Sequence, residues 1–185
     1  MSGLHLFEDE DKKDQSIEVP SSVPEETEEN VEELSEFLTF RISDDLFAVP
    51  LLSVREVIEK PKLKMIPKCE PYFKGLFNLR GEIAGIIDLG EKFGIKGRSS
   101  EKNYDPVVLF DTENGPLGIV VDEMYQVFQC NPDDISDKAS VKSKVPQKYL
   151  KGFIRKDDEI AIIIDLQLIL DEDEITHFRK ARDIA

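Results

Sequence analysis

The chain has 185 residues, 40% of them hydrophobic, and a formal net charge of −15 at pH 7. This length supplies one domain or two small ones with a sizeable core, and the charge disfavours nucleic-acid partners, whose phosphates would repel it. No apolar run approaches the roughly 20 residues of a membrane-spanning helix, and the acidic N-terminus has no signal-peptide core. Its two cysteines are expected to be reduced thiols. We therefore expect a cytoplasmic protein without direct membrane insertion.

The N-terminal segment carries most of the charge. Residues 1–36 contain 13 acidic and 2 basic residues, which leaves a net charge of −4 on residues 37–185. A segment with so few large apolar side chains cannot bury enough surface to order itself. Residues 1–36 are predicted to be an acidic, disordered tail. The alternative is an acidic docking arm for a basic partner.

The next part of the chain predicts β-structure. Alternating apolar residues and turn signals place strands at residues 37–42, 46–51, 74–79 and 82–87, and a strand or one helical turn at 53–58. Arg80-Gly81 is a predicted turn. The strand at 82–87 is apolar on both faces, which is typical of a strand covered on both sides. Asp88 is predicted to cap a short helix in a capping box with Glu91.

The second half is predicted to follow the same order after a polar link over residues 96–106. An Asn114-Gly115 turn marks its first hairpin, and residues 160–164 form its most apolar strand. Residues 171–185 are predicted to be a charged amphipathic helix. Ile175 and Phe178 give that helix a narrow apolar edge.

This order recurs because the sequence is duplicated. Residues 72–89 and 149–166 align without a gap and are identical at ten of 18 positions. Residues 37–58 align with residues 107–128 at an offset of 70, where Phe40 matches Phe110, Phe47 matches Leu117 and Val57 matches Val127. Gly75 and Gly152 are shared by the copies, and we expect a close backbone approach or a bulge at both.

Many short strands in two copies predict an all-β fold of two small barrels side by side. Side chains fill the interior of a barrel of this size and leave no ligand cavity. Binding is therefore expected on outer faces or in the groove between the lobes.

Catalytic and cofactor motifs are not recognisable in the sequence. His5 and His177 have no companion residues at the spacing of a catalytic motif. Cys69 and Cys130 are too few and too far apart for a zinc site. We predict a non-enzymatic protein without a cofactor. The remote alternative is a small β-barrel ligand-binding protein, which would need a concave polar pocket with titratable groups.

The copies differ at the hairpin tip, and this difference marks a candidate site. Arg80 and Gly81 in the first copy correspond to Asp157 and Asp158 in the second. Arg80 can donate a bidentate fork to a carboxylate, and Glu56 is the nearest candidate in the first copy. Two unrelated solvated charges are the alternative.

Apolar residues surround Glu56 in the sequence. We expect at least one of Val54, Val57 and Ile58 to belong to the core. The others would form an exposed apolar strip with a polar rim, which is typical of a protein-binding surface.

Several of these segments resemble the CheW-type chemotaxis coupling proteins. The resemblance rests on residues 37–40 (FLTF), 54–58 (VREVI), 72–81 (YFKGLFNLRG), 86–89 (IIDL), 93–94 (FG) and 118–122 (GIVVD). It extends over residues 37–170, and its most specific part is the Lys-Gly-x-x-Asn-Leu-Arg-Gly element. One departure is Glu82, where the family has an apolar or small residue. Glu159 occupies the matching place in the second copy, so Glu82 is predicted to be structural.

The resemblance implies two pseudo-repeated, five-stranded SH3-like β-barrel lobes around a hydrophobic groove. The lobes would span about residues 37–104 and 105–170, with exchange of a terminal strand left open. Family members are adaptors that couple the cytoplasmic hairpin tip of a chemoreceptor to the regulatory domain of a CheA-type histidine kinase, in arrays at the membrane.

By position, the resemblance places Val54, Glu56, Arg80 and Gly81 near the receptor-binding face. Asn78 falls in the same element, and Val57 and Ile58 complete the predicted receptor-facing groove. The same module in a pilus-motility or other receptor–kinase pathway is the alternative function.

Overall fold

The computed structural model describes residues 34–59, 61–67, 69–95, 106–137, 143–156 and 158–184. The predicted acidic tail, up to residue 33, and most of the link between the copies lie outside these residues. Eleven strands and two helices are described in these ranges. The strands are β1 (Ser35–Ile42), β2 (Asp45–Pro50), β3 (Val54–Glu59), β4 (Phe73–Leu79), β5 (Glu82–Asp88), β6 (Pro106–Thr112), β7 (Gly115–Val120), β8 (Glu123–Cys130), β9 (Ile135–Asp137), β10 (Leu150–Lys156) and β11 (Glu159–Ile164). The helices are α1 (Leu89–Phe93) and α2 (Glu172–Ile184).

The strands form two sheets, and each sheet draws on both copies of the repeat. The six-stranded sheet has the order β8-β1-β2-β11-β10-β9, and the five-stranded sheet has the order β3-β6-β7-β5-β4. The first hairpin of each copy therefore joins the later strands of the other copy. The all-β, two-lobed fold class predicted from the sequence is confirmed, but the division at residues 104 and 105 does not separate the two sheets.

The exchange is built from two parallel strand pairs with equivalent registers. β5 pairs with β7 so that Gly85 lies opposite Leu117, and β11 pairs with β2 so that Ile162 lies opposite Phe47. Ile162 is the repeat counterpart of Gly85, and Phe47 is the counterpart of Leu117. The duplication is therefore preserved in the strand register.

Three apolar clusters account for the alternation along the central strands. In β2, Leu46 and Ala48 face a cluster inside the six-stranded sheet, whereas Phe47 and Val49 face a larger cluster that contains residues of both sheets. A third cluster lies inside the five-stranded sheet. The central strands are thus buried on both faces, as their continuous apolar runs predict.

Local signals are largely confirmed. Asp88 Oδ1 accepts a hydrogen bond from Glu91 N at 3.1 Å and caps α1, but the Glu91 carboxylate pairs with Lys74 instead of completing a capping box. A Cβ atom added at Gly75 or Gly152 would lie 2.6 or 2.7 Å from a backbone oxygen of a neighbouring segment. Both glycines therefore mark the predicted close backbone approach.

Of the two alternatives predicted for residues 53–58, the structure has the strand, β3 (Val54–Glu59). Residues Leu51–Ser53 form a short 3₁₀ turn and β3 follows directly. β1 begins at Ser35, two residues before the predicted start, because Ser35 and Glu36 pair with the end of β8.

Candidate functional site

The predicted charge pair at the hairpin tip is present. Arg80 Nη2 donates a hydrogen bond to Glu56 Oε2 at 3.0 Å. The Arg80 side chain is 78% exposed, whereas that of Glu56 is 22% exposed. The partly buried Glu56 carboxylate therefore holds the Arg80 guanidinium at the surface. In water such a pair stabilises the fold little, so its conformation matters more than its energy.

The turn that carries Arg80 has a left-handed backbone. Arg80 has φ 53° and Gly81 has φ 100°, as a two-residue hairpin turn requires. Asn78 Oδ1 accepts a hydrogen bond from Gly81 N at 2.7 Å and fixes the turn. A Cβ atom at Gly81 would meet nothing within 4 Å, so the glycine serves backbone conformation rather than space.

The apolar neighbours of Glu56 divide between core and surface. Ile58 packs against the cluster inside the five-stranded sheet, and Val54 packs against the cluster shared by both sheets. Val57 is 42% exposed. At least one core residue was expected, and two contact the core. Leu52, just before β3, is 98% exposed, and its exposure had no signal in the sequence because a leucine is ordinarily buried.

A charged seam closes the five-stranded lobe beside this pair. Arg55 of β3 contacts Glu82 of β5 at 2.7 Å and Asp111 of β6 at 3.1 Å. With Glu56–Arg80, these contacts join the edge strand β3 to the hairpin of β4 and β5, so the sheet curls on itself. Glu82 and Asp111 raise the pKa of the Arg55 guanidinium through their hydrogen bonds and charges.

The six-stranded lobe has an equivalent seam made from different residues. Glu159, the counterpart of Glu82, pairs with Arg41 and with the Tyr125 hydroxyl. The Arg41 guanidinium also lies 4.9 Å from the Tyr125 ring centroid. Hydrogen bonding to Tyr125 and Arg41 lowers the pKa of Glu159, and the same carboxylate raises the pKa of Tyr125. Glu82 is thus structural, as its match with Glu159 predicts.

The Glu56–Arg80 pair has no such equivalent. The counterpart of Glu56 is Gln126, whose backbone bonds the Thr39 hydroxyl, and the counterpart of Arg80 is Asp157, which lies outside the described residues. The structure therefore brings Asn78, Arg80, Gly81 and Glu56 together in one lobe. The receptor-facing role of these residues stays a prediction.

A second feature of the surface lies beside α2. Two cavities, of about 410 and 290 Å³, lie between this helix and residues of the segments 64–67 and 69–76. A third, of about 420 Å³, lies on the side of the β6–β7 turn. None of the three is lined by a predicted site residue. The cavity of about 410 Å³ has the titratable groups that a ligand-binding protein would require. The ligand-binding alternative would therefore use a site beside α2 and not one at the hairpin tip.

Helix α2 contacts the five-stranded lobe through the Phe178 ring and an ion pair of Glu174, and its Arg179 and Arg182 donate hydrogen bonds to Asn114. Phe178 is 1% exposed, and the missing side chain of Gly85 makes room for its ring. Glu174 accepts hydrogen bonds from Lys92 of α1 and from the Tyr72 hydroxyl. Burial lowers the pKa of Lys92 to about 8 and raises the pKa of Glu174. Burial thus opposes the charges that the pair requires.

The described residues contain neither a group of side chains that could hold a metal ion nor a helix that could span a membrane. Among the described residues, no three His, Cys, Asp or Glu side chains are grouped to hold a metal ion. Neither described helix has the length and apolarity needed to cross a bilayer.

Comparison with known proteins identifies relatives over the same residues. The family model of the CheW-like domain matches residues 36–174. The chemotaxis protein CheW of Treponema pallidum is 24% identical over 78% of this chain and 86% of its own. That of Klebsiella aerogenes is 29% identical over 76% and 84%. The crystal structure of the scaffolding protein TtCheW from Thermoanaerobacter tengcongensis has a TM-score of 0.69 at 23% identity, covering 76% of this chain and 90% of that one.

Proposed function

Because the chain belongs to the CheW-like family, whose relatives are named as chemotaxis and scaffolding proteins, we propose that it is a non-enzymatic chemotaxis adaptor. It couples the cytoplasmic tips of chemoreceptors to a CheA-type histidine kinase. In this role it is recruited from the cytoplasm to receptor arrays at the membrane. Its mechanism is binding, and no bond is made or broken.

The observation that carries the receptor-binding proposal is the asymmetry between the lobes. Both lobes close their barrel with a charged seam, but among the residues that the structure describes only Glu56–Arg80 adds an exposed arginine to a partly buried carboxylate at 3.0 Å. A guanidinium held in this way presents its remaining donors to a partner without first losing much conformational freedom. Val57 in β3, the strand of Glu56, and Leu52 just before that strand supply exposed apolar area. An apolar anchor beside an oriented charge is typical of a protein-binding face.

The two kinds of group have different tasks in this proposal. The apolar side chains contribute most of the affinity when they lose contact with water. The charge pair sets orientation and register, because a like charge on the partner would repel Arg80 or Glu56 and an apolar group there would desolvate it without compensation. Val54 and Ile58 support the face from the core side. Asn78 and Gly81 hold the turn in place.

The test is the affinity of a purified chemoreceptor hairpin-tip fragment for Arg80→Ala, measured by calorimetry. We expect the affinity to fall about tenfold, which corresponds to roughly 1.4 kcal/mol. The free energy of unfolding is expected to change by less than about 0.5 kcal/mol, because the Arg80 side chain is 78% exposed. Binding of the kinase regulatory domain is expected to stay unchanged.

Arg155→Ala is the matched control, because Arg155 is an exposed arginine in the equivalent hairpin of the other lobe. It is expected to leave receptor affinity unchanged. Equal affinity for the wild type and Arg80→Ala, at equal stability, would remove Arg80 from the receptor-binding face.

The pathway is addressed by identifying the partners in lysate of the source organism. A pull-down with mass spectrometry compares the full chain with a chain that lacks residues 1–33. The deletion ends there because Ser35 and Glu36 pair with β8. Recovery of chemoreceptors and a CheA-type kinase supports the chemotaxis assignment. Recovery of pilus-motility receptors in their place would move the same adaptor to that pathway.

A further inference from the structure

One continuous groove runs along α2, on the opposite side of the helix from the β6–β7 turn. The cavities of about 410 and 290 Å³ share three lining residues, Ile66, Pro67 and His177. Phe73 and Phe178 line the first, and Leu76 and Ala181 line the second. Apolar side chains therefore contribute to the lining of the groove at both ends.

The charge along the rim of this groove changes sign. At the N-terminal end of α2 the rim carries Glu70, Asp171 and Asp173. About two helical turns further on, the rim carries Lys180 and Lys64. His177 stands between the two ends. Glu174 also lines the acidic end, but its carboxylate already binds Lys92 and Tyr72.

The spacing of these charges matches a short extended peptide. Asp173 and Lys180 are seven residues apart on a helix, which is about 10 Å at 1.5 Å per residue. An extended chain spans the same distance in about three residues at 3.3 Å each. Met65, at the basic end, is 73% exposed. This exposure is unusual for an apolar side chain, and an apolar partner could cover it.

We propose that this groove binds an extended segment of another protein in which two apolar side chains lie between a basic and an acidic residue. The basic residue lies against Glu70 and Asp173, the acidic residue lies against Lys180, and the two apolar side chains, which point to opposite sides of an extended segment, contact apolar residues of the two groove walls. The charge order distinguishes this surface from the exposed tip at Arg80. The proposal does not depend on the adaptor function.

The groove contains its own chemical reporter. Cys69 lines the larger cavity, is partly exposed, and has its Sγ atom 3.1 Å from the backbone oxygen of Ile66. Cys130 is 7% exposed and lies in the cluster inside the six-stranded sheet. A segment bound in the groove would therefore slow alkylation of Cys69 and leave Cys130 unchanged.

The test uses the full chain and the peptide acetyl-Arg-Leu-Leu-Glu-amide at millimolar concentration. We expect alkylation of Cys69 by iodoacetamide to slow at least threefold at saturation, with amide NMR shifts confined to residues 64–76 and α2. Peptides with Glu at both ends, or with Ser in place of both Leu, are expected to bind at least threefold more weakly. An exposed charge pair changes affinity by about that factor.

Lys180→Glu then tests the assigned direction of the charges. Compared with the wild type, the variant is expected to bind the original peptide about threefold more weakly. It is expected to bind the peptide with Arg at both ends about threefold more tightly than the wild type does. Lys144→Glu is the control, because Lys144 lines none of the three cavities. The proposal is overturned if no peptide shifts the NMR signals at 10 mM, or if all peptides protect Cys69 equally.

Discussion

Glu82 and Glu159 show how one position of a repeat can keep its task while its partners change. Glu82 of β5 binds Arg55 on the edge strand β3, which is not its neighbour in the sheet. Glu159 binds Tyr125, which corresponds to Arg55 in the other copy. It also binds Arg41, which corresponds to Asp111. The sign of the central charge is thereby reversed, because Arg55 lies between two acids and Glu159 lies between a cation and a hydroxyl. A barrel seam requires complementary partners, and either arrangement supplies them.

The seam of the six-stranded lobe makes a prediction for Tyr125. Its pKa is raised above the ordinary value, chiefly by the hydrogen bond to Glu159. In Glu159→Gln the acceptor charge is lost, so the pKa of Tyr125 is expected to fall towards about 10. Titration of ¹³C-labelled tyrosine by NMR measures the change. Asp158→Asn is the control, and an unchanged Tyr125 pKa in Glu159→Gln would contradict the assigned contact.

At the scale of the element, helix α2 depends on a residue that is absent from the other copy. Gly85 corresponds to Ile162 in the repeat. A side chain at Gly85 would lie 2.6 Å from the Phe178 ring. The missing side chain therefore lets α2 pack on one lobe. Asp171 and Glu174 bind each other's backbone N–H groups at 3.0 and 2.7 Å and begin the helix there.

The packing of α2 predicts a coupling between Gly85 and Phe178. Gly85→Ala is expected to lower the free energy of unfolding by about 1–3 kcal/mol, because the methyl group overlaps the ring. In Phe178→Ala, which opens that space, the same change is expected to cost less than about 1 kcal/mol. Denaturant unfolding of the double-mutant cycle measures the coupling.

Gly118→Ala is the matched control for this cycle. A Cβ atom there would meet Ile86 and Val107, each at 2.6 Å, and not Phe178. Its cost is therefore expected to be equal in both backgrounds. A Gly85→Ala cost that does not depend on Phe178 would contradict the packing described for α2.

The ion pair between α1 and α2 predicts a dependence of stability on pH. Lys92 loses its proton near pH 8 in the folded protein, whereas the unfolded chain keeps it to about pH 10.4. The unfolded state therefore binds more protons in this window, and the free energy of unfolding is expected to rise with pH. Between pH 7 and 9.5 the rise amounts to about 1–2 kcal/mol.

The measurement is urea unfolding at several pH values for the wild type and Lys92→Met. Methionine keeps a long, unbranched side chain but removes the titrating amine. The free energy of unfolding of Lys92→Met is therefore expected to be independent of pH over this window. A flat wild-type profile, or an equal slope in Lys92→Met, would contradict the assignment to Lys92.

At the scale of the whole molecule, neither half of the sequence holds a complete sheet. Each half contributes a hairpin to the other, through the parallel pairs β5–β7 and β11–β2. The largest apolar cluster contains residues of both halves. Folding therefore requires contacts between residues far apart in the sequence.

This exchange predicts the behaviour of a cut chain. A protease site placed within residues 97–104 is expected to give two fragments that still elute together at the size of the intact protein. They are expected to separate only in denaturant, because each sheet needs strands from both. Size-exclusion chromatography after cleavage measures this. Fragments that separate in native buffer, each with native-like circular dichroism, would contradict the exchange.

The signals that could be interpreted from the sequence are short-range. Turn residues and alternation placed most strands and their hairpins, and the matched copies indicated that Glu82 is structural. The difference between the copies marked Arg80 and Glu56 as a candidate pair, and the resemblance to the CheW-like family favoured that pair over two unrelated solvated charges. The structure contains the pair, although its members are 24 positions apart. The resemblance to the CheW-like family supplied the two-lobed arrangement. The short-range signals act within a few residues or within one hairpin, where the chain leaves few conformational choices.

Contacts between distant residues decide four features: the exchange of hairpins, the exposure of Leu52, the packing of α2 and the groove beside that helix. The physical reason is the duplication. Because the copies are alike, the hairpin over β1 and β2 fits the register of β5 as well as that of β11, and sequence periodicity assigns it to neither. That choice is made by the packing of the whole chain, which buries Phe47 and Leu117 in one shared core.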